Sequence, residues 1–133
     1  MPATVVEPLR AANALTGLAE EALYEIIDGQ YVELPPMSVY ASLVASSLTG
    51  ELSVFSHTHP IGRPFAQMLY RLPLNVSRSR RPDVSFVTYE RWPKNRGICV
   101  TDDAWDVVPD LAVEVISPND LADEIMQKLD TLA

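Results

Sequence analysis

The chain has 133 residues, of which 47% are hydrophobic and 21% charged, and its formal net charge is −8. This length suits one domain with one core, and the composition is that of a globular protein with no apolar run near the roughly 20 residues that a membrane-spanning helix needs. The acidic balance argues against a protein that coats nucleic acid through bulk electrostatic attraction.

The single cysteine, Cys99, excludes an internal disulfide and a zinc site built from cysteines. We expect it to lie in a core or a strand as a small apolar residue. The first residues lack the basic start and the apolar stretch of a secretory signal, so a cytoplasmic location without membrane contact is expected.

Residues 1–22 are interpreted as an N-terminal helical segment and residues 23–133 as one domain. In the first segment, apolar residues at helical spacing predict a short helix over residues 11–22. Residues 24–34 then place Asp28 and Gly29 between two alternating, β-prone arms, which is a strong signal for a hairpin.

Two prolines end the second arm, and Ser38 is a predicted N-cap for a helix from Val39 to about Leu52. This helix is the best candidate for a long element that packs on a sheet. Four apolar residues are expected on its packing face: Val39, Leu43, Val44 and Leu48.

Residues 54–64 have the composition of a loop. His57 and His59 lie in it, and we interpret them as ordinary loop histidines because no third metal ligand is nearby. Residues 65–72 and 83–87 are predicted strands.

Residues 88–106 are a polar excursion that predicts a long surface loop or a small helix. Residues 110–116 are nearly continuous in apolar residues, which predicts a strand buried on both faces. Ser117 as N-cap and Pro118 at the first helical position then predict a helix that runs through Leu132. A strand that leads directly into a helix is typical of α/β architecture.

Two carboxylates interrupt these predicted strands: Asp83 precedes an apolar run, and Glu114 stands inside another. A lone buried carboxylate is costly unless something pairs with it, and two hard oxygen ligands suit a Mg²⁺ ion that keeps several waters. On a helical wheel of about 100° per residue, Lys128 lies roughly 20° from Leu121, at the edge of the apolar stripe. Its stem can therefore carry the ammonium toward the strand ends.

Structural alternatives exist for these residues. Asp83 can merely begin its strand, and Lys128 can be a surface lysine that pairs with Glu124. A structural role for Glu114 would need a buried cationic partner. Three arginines before Asp83 form either a local basic patch for nucleic acid or an ordinary solvated loop: Arg78, Arg80 and Arg81.

Four blocks of residues lie in one order along the chain: residues 24–33, 81–87, 109–118 and 128–129. Together they resemble the Uma-two family of restriction endonucleases, within the PD-(D/E)xK nuclease superfamily. The resemblance covers nearly the whole chain from Leu23 onward. It implies an α/β, restriction-endonuclease-like fold, in which helices flank a central mixed β-sheet and a divalent metal binds at the strand ends.

The resemblance also implies a site. Asp83 and Glu114 match the two acids that hold Mg²⁺ or Mn²⁺, with the backbone carbonyl of Val115 as a further ligand. Ile116 occupies the usual position of the catalytic lysine, and the family's relocated lysine corresponds to Lys128.

Glu25, in the hairpin block, corresponds to an auxiliary acid. The implied activity is hydrolysis of DNA phosphodiester bonds by a metal-activated water, with a homodimer left open. Family members continue past the lysine helix into further strands, so the domain is expected to be incomplete at its C-terminus. The alternatives are a non-catalytic, truncated remnant or interaction module with a nuclease-like fold, and a hydrolase that acts on another phosphate ester.

Overall fold

The computed structural model describes residues 4–6, 23–72, 78–117 and 120–132. The helix predicted over residues 11–22 lies outside these residues. Eight strands and two helices occur in the described part: β1 (Thr4–Val6), β2 (Tyr24–Ile27), β3 (Gln30–Glu33), α1 (Val39–Thr58), β4 (Gly62–Ala66), β5 (Tyr70–Arg71), β6 (Ser79–Arg80), β7 (Val84–Thr88), β8 (Leu111–Val113) and α2 (Ala122–Leu132).

The predicted hairpin is formed by β2 and β3, which pair antiparallel with Glu25 opposite Val32. Its turn needs two residues with positive φ, and Asp28 and Gly29 supply them with φ of 52° and 78°. Asp-Gly adopts this turn readily because glycine has no Cβ and aspartate tolerates the left-handed region. The prediction of the hairpin is confirmed.

The described strands form a five-stranded sheet in the order β1-β3-β2-β6-β5 and a three-stranded sheet in the order β4-β7-β8. Their ladders are antiparallel. A parallel bridge joins Tyr70 to Trp105 outside the named ladders. β1 adds a strand from the segment that the sequence indicated as helical, and it lies at one edge of the larger sheet.

Helix α1 begins as predicted. Ser38 has extended backbone geometry, and its Oγ accepts a hydrogen bond from Ala41 N at 3.1 Å. The helix continues to Thr58, so the predicted loop at residues 54–58 is wrong. Neither α1 nor α2 is long and apolar enough to cross a bilayer.

The predicted packing face of α1 is also wrong in part, because Val39 and Leu43 are exposed. The helix instead buries Ala41 and Ala45 and packs on β4 and β7. Small side chains let the helix axis approach the sheet closely, which outweighs burial of the larger residues on another face.

A second close approach occurs at Gly62, the first residue of β4. A Cβ at this position would overlap the Val87 carbonyl and the Phe86 ring. Phe86 in turn meets Phe55 of α1 edge to face, with ring centroids 6.5 Å apart. Gly62 is therefore required by the packing between β4, β7 and α1.

The hydrophobic core lies beside these strands and contains Tyr70, Leu72, Val87, Trp92, Trp105, Val107 and Leu132. Two of its members, Trp92 and Trp105, come from the segment predicted as a polar surface loop. Their rings pack edge to face, with centroids 5.2 Å apart. The segment is irregular in backbone but contributes large aromatic side chains to the core.

The predicted strand at residues 65–72 is divided between two sheets. Gln67, with φ of 54°, separates β4 from β5, and its backbone N–H donates to the Asp83 carbonyl at 3.1 Å. The strand expected at residues 110–116 is shorter and is not buried on both faces. Leu111 and Ile116 are exposed, since β8 lies at the edge of the three-stranded sheet.

The last helix begins at Ala122 rather than just after Ser117. Ser117 N–H donates to Asp120 Oδ2 at 2.7 Å, and Asp120 N–H donates to the Ser117 carbonyl at 3.0 Å. These two bonds close a turn before the helix starts. Cys99, expected in a core or strand, is exposed in an irregular segment.

Candidate active site

The register of the smaller sheet brings Asp83 and Glu114 together. Asp83 directly precedes β7, Glu114 directly follows β8, and the last ladder pair is Val84 with Val113. One further step of this antiparallel register sets Asp83 opposite Glu114, where side chains of cross-strand neighbours are within reach. Asp83 Oδ2 also accepts a hydrogen bond of 2.7 Å from Val115 N–H, which fixes the carboxylate against the neighbouring strand.

Lys128 of α2 reaches these acids from the helix. Its Nζ lies 3.1 Å from Glu114 Oε1 and 3.1 Å from Glu25 Oε2, and it donates to the Arg81 carbonyl at 2.7 Å. The side chain is only 12% exposed. Lys128 therefore leans toward the sheet, as its position on the helical wheel predicted, and its ion pairs in the described chain are with Glu25 and Glu114.

Glu25 of β2 lies deeper than the other acids and is 3% exposed. Its Oε2 accepts from Arg81 N–H at 2.8 Å, and its Oε1 lies 3.4 Å from Arg80 Nη1. With Lys128 on the same carboxylate, Glu25 is compensated by two cations and one backbone donor. These contacts offset the desolvation penalty of the buried carboxylate, and the Lys128 contact joins the hairpin to α2.

Two of the three arginines before Asp83, Arg80 and Arg81, turn inward, so neither reading from the sequence holds for these two. Arg80 is 3% exposed and pairs with Glu25. Arg81 donates through its side chain to the carbonyls of Tyr24 and Gln67. Arg78 is less buried and pairs with Asp28 at 3.3 Å. The physical reason is that Glu25 and the backbone carbonyls around it need cationic donors from inside the fold.

Burial raises the pKa of the Glu114 carboxyl from 4.5 to about 7. The positive charge of Lys128 opposes this change, whereas the negative charges of Asp83 and Glu25 add to it. Glu114 Oε1 is buried and has no hydrogen bond in suitable geometry, although the Lys128 ammonium is 3.1 Å away. Glu114 is thus an acid whose charged form is incompletely satisfied.

Asp83, Glu114, Val115 and Lys128 line one cleft of about 140 Å³. A neighbouring cleft of about 380 Å³ shares Glu114 and Lys128 with the first and is lined also by Glu25. Asp120 lines both clefts. Nothing in the sequence indicated that Asp120 lines the site, because the predicted helix, starting at Pro118, already included this residue.

The donors around the first cleft fit a hard divalent cation in kind. Asp83 and Glu114 offer carboxylate oxygens, and the buried Oε1 of Glu114 lacks a hydrogen bond. Among the described residues, no group of three His, Cys, Asp or Glu side chains is arranged to hold a metal. Two carboxylates and a backbone carbonyl suit Mg²⁺, which keeps several waters and takes oxygen from phosphate.

The two histidines of the chain do not line the cleft. His57 is in the last turn of α1, and His59 follows that helix and stacks on Phe55, with ring centroids 4.5 Å apart. Helix α1 extends further than predicted, so His57 lies in the helix rather than in a loop.

The fold is that of a restriction-endonuclease-like α/β protein. It resembles the crystal structure of a "putative nuclease belonging to DUF820" from Anabaena variabilis ATCC 29413, with a TM-score of 0.68 and 20% sequence identity. The match covers 82% of this chain and 59% of that chain, so the present chain spans less than two thirds of its structural relative. The predicted fold class is confirmed.

The family follows from the sequence itself. The chain belongs to the Uma2 family, whose description is "Putative restriction endonuclease" and whose pattern matches residues 12–130. The resemblance inferred from the four sequence blocks is therefore confirmed. A search of curated proteins gives no match to this chain.

Proposed function

We propose that this chain is a divalent-metal-dependent endonuclease that hydrolyses phosphodiester bonds in DNA. The observation that carries the proposal is the convergence of Asp83, Glu114 and Lys128, from three separate segments, on one cleft. A purely structural ion pair needs one acid and one base, whereas here a second carboxylate, Asp83, lies beside Glu114 and adds to the rise in the Glu114 pKa that burial causes. Such a costly arrangement is typical of functional sites.

The acids would hold the metal ion. Asp83 is fixed by the Val115 N–H, and the buried Oε1 of Glu114 faces the Lys128 ammonium at 3.1 Å. Mg²⁺ or Mn²⁺ bound there, with the Val115 carbonyl as a further ligand, would polarise a phosphate and lower the pKa of a water. Since ligation needs the carboxylate, Glu114 must lose its proton when a cation binds.

Lys128 would stabilise the negative charge that develops on the phosphate oxygens. Its ammonium is held by the Arg81 carbonyl and by Glu25, so it is positioned before a substrate arrives. A preorganised cation in a partly closed cleft costs little reorganisation during the reaction. Glu25 itself would act as a positioning residue, because its oxygens are used by Arg80, Arg81 and Lys128.

The direct test is cleavage of supercoiled plasmid and linear duplex DNA by purified protein, with Mg²⁺, Mn²⁺ or EDTA. We expect nicking or cleavage with either metal and none in EDTA. Asp83→Asn and Glu114→Gln should abolish it, because each removes one anionic ligand while the shape of the side chain is kept. Asp123→Asn on α2 and Glu51→Gln on α1 are matched controls, since both acids are exposed and lie outside the cleft.

The result against the proposal is a wild-type protein that is folded by circular dichroism yet inactive on every DNA substrate with both metals. Competition by free nucleotides would separate DNA from other phosphate esters. If free nucleotides inhibit cleavage more strongly than competing duplex DNA does, a hydrolase for small phosphate esters is favoured.

A non-catalytic module is the second candidate, and one observation favours it. The Lys128 ammonium already compensates part of the charge of Glu114, so the cluster is partly neutralised without a metal. Isothermal calorimetry decides between the two. The nuclease requires heat of Mg²⁺ binding at millimolar concentration that disappears in Glu114→Gln, whereas the module requires no such heat in wild type.

A further inference from the structure

Most of the basic side chains in the described chain are neutralised internally. Four arginines and one lysine form ion pairs, and Arg81 donates to backbone carbonyls. The paired residues are Arg71, Arg78, Arg80, Arg91 and Lys128. Within the described residues, three basic side chains form neither an ion pair nor a hydrogen bond to a backbone carbonyl: Arg63, Lys94 and Arg96.

These three cations gather around two aromatic rings. The Arg63 guanidinium lies 5.6 Å from the centre of the Tyr89 ring, and the Lys94 ammonium lies 5.7 Å from the same centre. The Arg96 guanidinium lies 3.9 Å from the centre of the Trp92 ring. We call Arg63, Tyr89, Lys94 and Arg96 the Tyr89 surface.

Cation–π attraction at an exposed site holds a cation near a ring but does not neutralise its charge. An anion beside Arg63 and Lys94 would therefore be attracted to both. The exposed Glu90 belongs to the same turn but forms no ion pair with them in the described structure. The Tyr89 surface is therefore a concentration of uncompensated positive charge on a chain whose net charge is −8.

The strand register relates this surface to the acids. Arg63 is paired with Val87 across β4 and β7, and Asp83 lies four residues before Val87. Side chains alternate along a strand, so Asp83 and Val87 point to one face of β7, but Ser85 and Val87 are buried in the core on that face. The acids and the Tyr89 surface therefore lie at the two ends of β7, and a bound duplex would have to reach both ends. The separation along β7 is about 14 Å at roughly 3.4 Å per residue, which corresponds to about four base pairs of duplex.

We propose that the Tyr89 surface binds the phosphate backbone of the DNA whose scissile bond lies at Asp83 and Glu114. The proposal rests on the nuclease function proposed above. A backbone contact is favoured over base stacking because the Tyr89 ring is already approached by Arg63 and Lys94. Contacts of this kind fix the position of the duplex and carry no sequence information of their own.

The test is the salt dependence of binding to a fluorescein-labelled duplex of about 20 base pairs, read as fluorescence anisotropy in EDTA so that no cleavage occurs. A log–log plot of affinity against salt flattens by about 0.9 for each lost phosphate contact. The triple variant Arg63→Ala, Lys94→Ala, Arg96→Ala should flatten the slope by about 2 to 3 and weaken binding at least about tenfold at low salt.

Arg71→Ala is the matched control, because Arg71 is an exposed arginine that forms an ion pair with Asp106 at 2.8 Å. It should leave the slope unchanged. The charge-retaining variant Arg63→Lys should keep the wild-type slope as well. If the triple variant fails to fold because Arg96 supports Trp92, Lys94→Ala alone must still flatten the slope by about 0.9, since Lys94 is exposed.

An unchanged slope in the folded triple variant, or in Lys94→Ala, overturns the Tyr89 surface and leaves the nuclease proposal intact. Wild-type protein that binds no duplex at low salt overturns it too. Asp83→Asn should lose cleavage while keeping the wild-type slope. If wild type never cleaves DNA but the triple variant loses binding, the nuclease proposal fails and the DNA contact stands.

Discussion

Burial of Glu114 should make the folded protein less stable as the pH rises, which is the opposite of the trend for an ordinary salt-bridged acid. Glu114→Gln should remove this pH dependence. The ordinary pKa of a glutamate carboxyl is 4.5, and the pKa of Glu114 in the folded protein is about 7, chiefly because the group is buried. Below pH 4.5 the carboxyl is protonated in both the folded and the unfolded state. Between pH 4.5 and 7 only the folded state retains the proton, so the free energy of unfolding falls as the pH rises.

The size of this effect follows from the same values. A carboxyl whose pKa rises from 4.5 to about 7 on folding contributes about 3 kcal/mol that is present below pH 4.5 and lost above pH 7. Glutamine resembles the protonated acid in shape and carries no charge. The variant should therefore match wild type near pH 4.5 and exceed its stability at pH 8 by about 2 to 3 kcal/mol, because it avoids burial of a charge.

Urea unfolding at pH 4.5, 6 and 8 in EDTA measures this difference, with Glu51→Gln as the control for removal of an exposed acid. The two proteins differ in this one side chain, so the difference between their stabilities reports the effect of the Glu114 carboxyl. The reasoning would be refuted if the free energies of unfolding of wild type and Glu114→Gln changed in parallel across the three pH values. So would a variant that is less stable than wild type at pH 8.

Three further predictions concern packing and charge. Lys128→Met should lower the free energy of unfolding at pH 8 by about 3 kcal/mol or more in urea titrations, because two acids lose their shared cation, and adding Glu114→Gln should restore part of the loss. Ser38→Ala should cost about 1 kcal/mol by loss of the N-cap, seen as a lower Tm, and an unchanged Tm would contradict the capping role. Gly50→Ala should stabilise α1 by about 1 kcal/mol because a methyl group meets open space there, whereas Gly62→Ala should destabilise the protein strongly. Calorimetry of the two variants contradicts this prediction if both shift Tm in the same direction.

The features that sequence predicted well have local physical signals. Asp28 and Gly29 supply two residues that accept positive φ, so they defined the hairpin. Asp83 and Glu114 were visible because one precedes an apolar run and the other interrupts one, and the angle of Lys128 on the helical wheel allowed it to reach them. Their roles in metal binding and catalysis stay predictions until the variants are assayed.

The features that sequence missed depend on contacts between distant segments. Arg80 pairs with Glu25, which is 55 residues away, and nothing beside either residue indicates the pairing. Helix α1 buries its alanines because of the shape of the sheet, and hydrophobic periodicity does not report that shape. Trp92 and Trp105 enter the core from an irregular segment, where no period exists to follow.

The position of Lys128 has a consequence for the order in which the protein assembles. Glu25 and Lys128 are about a hundred residues apart in the sequence, so their contact closes a long loop and forms only when α2 docks. A growing chain that has not yet released α2 from the ribosome would carry its acids without the ammonium that compensates them. Docking of that helix and completion of the cleft are then one event, and any fluctuation that detaches α2 removes the lysine from the acids at the same moment.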